Sequence, residues 1–421
     1  MIRVLIWATH LQTDILALAA HLDRCPDVAL LIVANDAATY RGEPIAAALA
    51  LAARVLDRAD PQTLAQVRRF AADVAVADNH VPPKGTAPRL FYMWHGLGWK
   101  ARSRLDLAVF YRQVKRLTGI DPRRPNPRFL AQCYGPTDRD WRIRDWKLSP
   151  EACVEVGMAF ASLLRAPPYT REAIAPQYAI DVMRRKTVLL SITWHAGGAI
   201  DGGEADLDLV ARLIETTAAR GANLLVCLHD RHRYAPALVD GLELLSAAAA
   251  HAELRFKNEH PDNLSDLLVA DVMVSNLSSF LAYHYVSGRP AIHIVPRDGA
   301  PIERVTMVLS RFRIRRKIAA QAAWMIDPGD TGGVRVADAD AAAHAVAAAL
   351  DDPGKGAQAS RDWLAIHVPG LDNHAAERIE ARLVAMCGGV ARLADRAAGD
   401  DYSDAQRDRL GNRPIGGVAA A

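Results

Sequence analysis

The residues with the clearest chemical potential in this sequence stand at the ends of apolar, strand-like stretches. Residues 90–93 lead into Trp94-His95-Gly96. A histidine in such a loop can act near neutral pH as a general base, and glycine lets backbone N–H groups approach an anion at the start of the next helix. Capping of that helix is the alternative role for His95.

Two later stretches end in the same way. Residues 188–192 lead into Thr193 and a Gly197-Gly198 pair, whose backbone amides could bind a diphosphate, although an ordinary strand-to-helix turn is slightly favoured. Residues 224–228 lead into His229, and the cations that follow could neutralise a phosphate. His229 and His232 lack a third ligand at usable spacing, so we predict no metal site.

The fourth stretch is the most informative. A short helix and a strand precede Asn276-Leu277-Ser278-Ser279, and a further helix is predicted at residues 280–286. Hydroxyl groups and unpaired N–H groups at the start of that helix would face an anion. A role for Ser278 as an N-cap only is the alternative.

All four loops follow strands in a repeated rhythm of apolar strand, loop and amphipathic helix, which is typical of α/β proteins with parallel sheets. We predict two doubly wound, Rossmann-like domains that face a cleft, because ligands bind beyond the carboxyl ends of such strands. The predicted strands are residues 4–8, 29–33, 74–77 and 90–94 in the first half and residues 188–192, 223–228, 254–256, 272–275 and 291–295 in the second.

The predicted domain boundary lies near residue 180. Residues 1–180 form the first domain, and residues 101–179, where aromatic residues, Pro and Arg are frequent, form an insertion of helices and irregular loops. Residues 181–394 form the second domain. Residues 395–421 have little apolar periodicity, which predicts a disordered tail.

Composition excludes several classes of protein. The 421 residues carry a net charge of +3, which is too small to recruit nucleic acid, so we predict no nucleic-acid partner. Five scattered cysteines without C-x-x-C spacing indicate a reducing cytoplasm. No apolar run reaches about 18 residues, which predicts a soluble or peripheral protein. The basic run 311–317 could contact an anionic lipid surface, although a solvated face is the more ordinary interpretation.

Taken in order, these motifs resemble the CDP-glycerol glycerophosphotransferase family of teichoic-acid-type polymerases and primases, which have the two-domain GT-B architecture. The resemblance covers about residues 90–300. Its matching segments are Trp94-His95-Gly96 with Lys100, Thr193-Trp194, His229, Asp266-Leu267-Leu268, Asp271-Val272 and Ser278-Ser279. Asn276 stands where the family has an acid, Leu277 replaces an aromatic residue, and Asp230 replaces a proline.

The resemblance implies a transferase of cell-envelope polymer synthesis, at work in the cytoplasm or at the inner face of the membrane. It would move a glycerophosphate, polyol-phosphate or sugar unit from CDP-glycerol or a nucleotide sugar to a hydroxyl of a polymer or lipid-linked acceptor. The first domain would be the acceptor side and the second the donor side. His95 would be the general base, no cofactor or metal would be needed, and the donor would be bound by His229, Ser278, Ser279, Thr193, Gly96 and Asn276.

Two other functions stay open. A sugar-nucleotide 2-epimerase or a hydrolase on the same fold would need paired carboxylates in the cleft, for which Asp266 and Asp271 are candidates. A catalytically silent nucleotide-binding assembly protein is the other, because Asn276 replaces an acid of the family signature.

Overall fold

The first half of the chain builds a seven-stranded parallel sheet with the order β3-β2-β1-β4-β5-β6-β7. Its central strands are almost continuously apolar, as in Val74-Ala75-Val76-Ala77, because helices cover both faces of a parallel sheet. The strands are β1 Ile2–Trp7, β2 Val28–Ala34, β3 Arg54–Asp57, β4 Val74–Asp78, β5 Leu90–Met93, β6 Phe129–Cys133 and β7 Cys153–Glu155.

In the described part of the first half, eight helices accompany this sheet. They are α1 Thr13–Leu22, α2 Ala37–Gly42, α3 Pro44–Leu49, α4 Thr63–Phe70, α5 Arg104–Thr118, α6 Pro136–Arg144, α7 Phe160–Arg165 and α8 Arg171–Ile174. Helix α1 is buried over nearly its whole length, since it lies between the first sheet and helices from later in the chain.

The second half builds a six-stranded parallel sheet with the order β10-β9-β8-β11-β12-β15, and an antiparallel hairpin β13-β14. The strands are β8 Thr187–Ile192, β9 Asn223–Leu228, β10 Ala252–Phe256, β11 Val272–Asn276, β12 Ala291–Ile294, β13 Ile302–Leu309, β14 Ile314–Gln321 and β15 Val334–Val336. The helices are α9 Glu204–Ala219, α10 Pro236–Ala247, α11 Asn263–Val269, α12 Ser279–Val286, α13 Ala339–Asp351, α14 Ala357–His367 and α15 Ala375–Met386.

This computed structural model describes part of the chain. The described residues are 1–35, 37–94, 96–99, 104–192, 203–229, 236–257, 259–260, 262–276, 278–295, 302–309, 314–321 and 324–388, of which 104–105, 302–309 and 314–321 are described by their backbone alone. His95, Lys100 and Thr193 lie outside these residues, as do 311–313 of the basic run and the predicted tail.

The predicted fold class is confirmed. All nine predicted strands are present with ends that agree within two residues. The prediction for residues 101–179 is incomplete. This segment forms helices and irregular loops, but it also contributes β6 and β7 to the first sheet. Gln132 interrupts β6 and Glu155 ends β7, so neither strand forms a continuous apolar run.

One hydrophobic cluster spans both halves of the chain, beside a separate cluster in each half. The spanning cluster joins residues of α1, such as Leu18, to Phe280 of α12 and Trp363 of α14. Helix α15 follows the second sheet but packs against α1, where Glu380 Oε2 lies 2.7 Å from His21 Nε2. Among the helices that the structure describes, none is both long enough and apolar enough to cross a bilayer.

Candidate functional site

The loop after β5 packs directly on the start of α12. A Cβ atom on Gly96 would lie 2.6 Å from both the Cβ and the Oγ of Ser279, and 3.1 Å from the hydroxyl of Tyr283. Gly96 has a φ of +127°, a conformation that residues with a side chain rarely adopt. The Trp-His-Gly loop of one half and the Ser-Ser pair of the other therefore meet in three dimensions.

The two serines occupy different environments. Ser278 is the N-cap of α12, and its Oγ accepts a hydrogen bond from the Phe280 N–H at 3.2 Å. The N–H of Leu281 donates to the Ser278 carbonyl at 3.1 Å. Ser279 is the first residue of the helix and is half-buried. Of the pair, Ser279 is therefore the side chain in contact with the loop from the first half.

Asn276 and His229 lie at the same edge of the second sheet. Asn276 is the buried last residue of β11, and His229 is the exposed residue that follows β9. These strands flank β8, whose last residue Ile192 precedes Thr193. Parallel strands of one sheet present their carboxyl ends together, so the described donor-side candidates share one edge with α12.

A carboxyl group at the corresponding edge of the first sheet did not emerge from the sequence analysis. Asp78 ends β4, and its Oδ1 accepts a hydrogen bond from the Thr9 N–H at 2.6 Å. The Thr9 hydroxyl lies 3.0 Å from His80 Nδ1. Burial raises the pKa of Asp78 to about 6, although the bonds from Thr9 and the charge of Arg58 act in the opposite direction.

Arg58 completes this group. Its guanidinium lies 4.9 Å from the centre of the Trp7 ring and donates a hydrogen bond to the Ala8 carbonyl. Burial lowers the pKa of Arg58, and Asp78 partly offsets that effect. The first sheet thus places a carboxyl group that titrates near neutral pH and a guanidinium group beside the loop after β1. The sequence feature that could have indicated Asp78 is an acid at the end of the apolar run Val-Ala-Val-Ala.

Asp14 joins the two halves behind the contact between the Gly96 loop and α12. Its carboxylate accepts hydrogen bonds from the hydroxyls of Tyr134 and Tyr283, both at 2.7 Å, and from the Phe160 N–H at 2.8 Å. Burial, the largest effect, raises the pKa of Asp14. Because Tyr134 follows β6 and Tyr283 belongs to α12, one carboxyl group connects both halves of the chain.

Trp99 anchors the end of the same loop. Its Nε1–H donates to the Asp330 carbonyl at 2.8 Å, and its own carbonyl accepts from the Met325 N–H at 2.8 Å. The indole ring stacks on Trp363 with 5.4 Å between ring centres and meets His293 edge-on. The loop that begins in the first half is therefore fixed in the second.

The two carboxylates considered for an epimerase have structural partners. Asp266 Oδ1 lies 3.1 Å from Arg255 Nη1 and accepts from the Tyr178 hydroxyl at 2.9 Å. Asp271 pairs with Arg171 at 3.2 Å and accepts from the Thr187 N–H at 2.8 Å. These contacts favour a structural role for both acids.

Within the described part of the chain, one group of side chains has the geometry to hold a metal ion. It consists of His21, Cys25 and Glu380, whose ligand atoms lie within 4.8 Å of one another. No sequence spacing indicates this group, because Glu380 lies far along the chain from the other two. His21 follows Asp14 by seven residues, about 10 Å along α1, so the group lies apart from the facing loops. The contact between His21 Nε2 and Glu380 Oε2 at 2.7 Å explains its arrangement without a metal.

Comparison with known proteins shows the fold. No protein-family model matches the chain, and no curated protein matches it in sequence. A structure of the wall teichoic acid polymerase TagF has a TM-score of 0.62 at 13% identity, over 92% of this chain and 89% of the other. The S. aureus protein MnaA, solved with UDP, has a TM-score of 0.56 at 11% identity, over 93% of this chain and 98% of the other.

A third solved structure belongs to a putative UDP-N-acetylglucosamine 2-epimerase from Listeria monocytogenes. It has a TM-score of 0.56 at 14% identity, over 91% of this chain and 96% of the other. These identities are low, so the similarity is one of architecture. The chain has the GT-B arrangement of two facing parallel-sheet domains.

Proposed function

We propose that the protein transfers a group from a nucleotide-activated donor to a hydroxyl acceptor bound between its two halves. The observation that carries this proposal is the contact of Gly96 with Ser279, because it sets the residue next to His95 against the start of α12. A general base and an anion-binding helix start on facing loops are the two groups that such a transfer needs.

The proposed reaction is an in-line displacement. The His95 imidazole accepts the proton of the acceptor hydroxyl as its oxygen bonds to the donor phosphorus, or to the anomeric carbon of a sugar donor. The bond from that atom to the leaving nucleotide oxygen breaks, and the nucleotide leaves with the electron pair. His229 and the start of α12 at Ser278 and Ser279 stabilise the leaving charge through fixed dipoles and donors.

The choice of donor rests on the similarity to the family and on departures from its signature, of which Asn276 is one. TagF is a wall teichoic acid polymerase, and MnaA was solved with UDP, so related architectures are associated with polymer synthesis and with nucleotides. The Trp-His-Gly and Ser-Ser matches favour CDP-glycerol and a polymer or lipid-linked acceptor. Asn276, which replaces an acid of the family signature, makes a nucleotide sugar the other donor to test.

The epimerase remains the second candidate, because solved structures with the same architecture include a putative 2-epimerase. Asp266 and Asp271 are held by cations, so an acid-base pair would have to draw on other carboxyl groups, among which Asp78 has a pKa of about 6. A silent nucleotide-binding assembly protein is the third.

A panel of ligands separates these functions. Thermal unfolding would be recorded with CDP-glycerol, CMP, CDP, UDP and UDP- or GDP-sugars, since a ligand bound only by the folded state raises the unfolding temperature. Stabilisation by cytidine compounds alone supports the glycerophosphotransferase. Stabilisation by uridine or guanosine sugars favours a glycosyltransferase or epimerase, and stabilisation by none contradicts nucleotide binding altogether.

Location at the membrane is part of the same proposal. The run 311–317 is the candidate for charge attraction to the inner face of the membrane, beside its more ordinary interpretation as a solvated face. Binding to anionic vesicles should then fall steeply with added salt, because charges are screened within about 10 Å at 0.1 M ionic strength. Vesicle binding that is absent or insensitive to salt would contradict contact of this run with the membrane.

A further inference from the structure

Positive charge is concentrated in one part of the chain. Residues 79–128 contain eleven Lys and Arg residues and two acids, which gives this segment a net charge of +9. The whole chain carries +3, so all other residues together carry −6. A field of one sign over fifty residues attracts anions even though the protein as a whole is nearly neutral.

Five of these cations line a single open groove on the first half, with a volume of about 590 Å³. All five are exposed, and none of the described residues that line the groove is an acid. The cations are Lys84, Arg112, Lys115, Arg116 and Arg128.

The cations that line the groove come from three segments of the chain. Arg112, Lys115 and Arg116 share one face of α5 at spacings of three and four residues. Lys84 lies between β4 and β5, and Arg128 precedes β6, where its Nη1 donates to the Thr118 carbonyl at 3.4 Å. The helix dipole explains cations in the last turn of α5, but it does not explain the cations of the other two segments.

The shape and lining of the groove select among anions. Pro88 and Leu117 contribute apolar surface, and the described lining includes no aromatic side chain on which a nucleobase could stack. Three of the five cations are Arg, whose planar guanidinium suits phosphate oxygens.

We infer that this basic groove, defined by Lys84, Arg112, Lys115, Arg116 and Arg128, binds a linear chain of closely spaced phosphate or phosphodiester groups that carries no nucleobases. The groove is separate from the site between the two halves. Lys115 follows Arg104 by eleven residues, so it lies about 16 Å along α5 from the end that follows the Gly96 loop. Binding is therefore measurable without turnover, and the inference stands or falls independently of the transfer reaction.

The test compares two triple variants of the full-length protein. One carries Arg112→Ala, Lys115→Ala and Arg116→Ala. The control carries Arg68→Ala, Arg69→Ala and Lys355→Ala, which removes two Arg and one Lys that are also exposed but lie outside the groove. Binding would be measured with long-chain inorganic polyphosphate, orthophosphate, phosphatidylglycerol vesicles and single-stranded DNA, each over a salt series.

We expect the wild-type protein and the control to bind polyphosphate with an affinity that falls with salt, and the groove variant to bind roughly tenfold more weakly. Orthophosphate should bind far more weakly than the chain at equal phosphate concentration. Equal loss in both triple variants would show that only net charge matters and would overturn the inference. Stronger binding of vesicles or DNA than of polyphosphate, with the same dependence on the groove, would reassign the groove to that partner.

Discussion

The partners and the raised pKa of the buried Asp78 cannot be predicted from its neighbours in the sequence. It ends a strand of otherwise apolar residues, and it is 5% exposed. Its partners Thr9 and Arg58 come from two other loops, so local sequence cannot reveal the group. What the structure adds is a carboxyl group that changes charge near pH 6 at the edge of the first sheet.

Asp78 should make stability depend on pH in a defined direction. Its pKa is raised from 3.8 to about 6 in the folded protein, so the folded state holds a proton that the unfolded state has lost, and ionisation of Asp78 destabilises the protein as pH rises. Asp78→Asn should therefore gain stability relative to wild type by about 2 kcal/mol between pH 4 and pH 7. Urea unfolding of both proteins across that range measures this, and a constant difference would contradict it.

The two serines at the start of α12 should respond differently to substitution. Ser278→Ala removes the N-cap and should cost about 1 kcal/mol of stability. Ser279→Ala leaves the cap intact, so it should alter stability little but weaken binding of the donor nucleotide. Chemical unfolding and nucleotide titration of both variants test this, and equal effects of the two substitutions on both quantities would argue against the assignment.

At the level of elements, the sequence predicted the strands that form apolar runs and missed six strands that contain polar or charged residues, including the eight-residue strands β13 and β14. Nine strands followed from apolar runs with loop residues behind them. Strands β3 and β7, with four and three residues, gave no such pattern. The sequence predicted the loops that contain Gly96 and Ser279, but not their contact. The distance between these residues depends on how the two sheets face each other.

Gly96 offers a direct probe of that contact. In Gly96→Ala the new methyl group would overlap Ser279, in addition to the strain of a positive φ, so the loop should move away from α12. We expect lower stability, by about 2 kcal/mol or more, and loss of donor binding.

Gly85→Ala is the matched control. Gly85 also has a positive φ, of +83°, but a Cβ there would meet nothing within 4 Å. It should show the backbone strain alone, with donor binding retained. If both variants lose donor binding equally, the approach of the loop to α12 is not what the site requires.

At the scale of the whole molecule, the two halves are tied together by the hydrogen bonds of Asp14 as well as by apolar packing. Asp14 lies 120 residues from Tyr134 and 269 from Tyr283. Separations of this length leave no local pattern, which is why the sequence identified neither this network nor the anchoring of Trp99. The sequence therefore predicted two domains that face each other, but it predicted none of the contacts between them.

Removal of one hydroxyl tests this connection. Tyr283→Phe should cost about 1 to 3 kcal/mol, because a buried carboxyl group loses a hydrogen-bond donor. Tyr111→Phe is the comparison, since the Tyr111 hydroxyl donates to the Trp146 carbonyl within the first half and is only half-buried. Calorimetric unfolding should show the larger loss for Tyr283→Phe. A larger loss for Tyr111→Phe would mean that Asp14 contributes little between the halves.

The most direct test of the proposed transfer is turnover of the donor by His95→Ala. With the donor that stabilises the wild-type protein and a hydroxyl acceptor, release of the nucleotide would be measured alongside the shift in unfolding temperature. We predict that His95→Ala keeps the donor-induced shift and loses turnover by about 100-fold or more, as expected when a general base is removed. Turnover that survives in His95→Ala would contradict the assigned base, and binding without turnover in the wild-type protein would contradict the transferase.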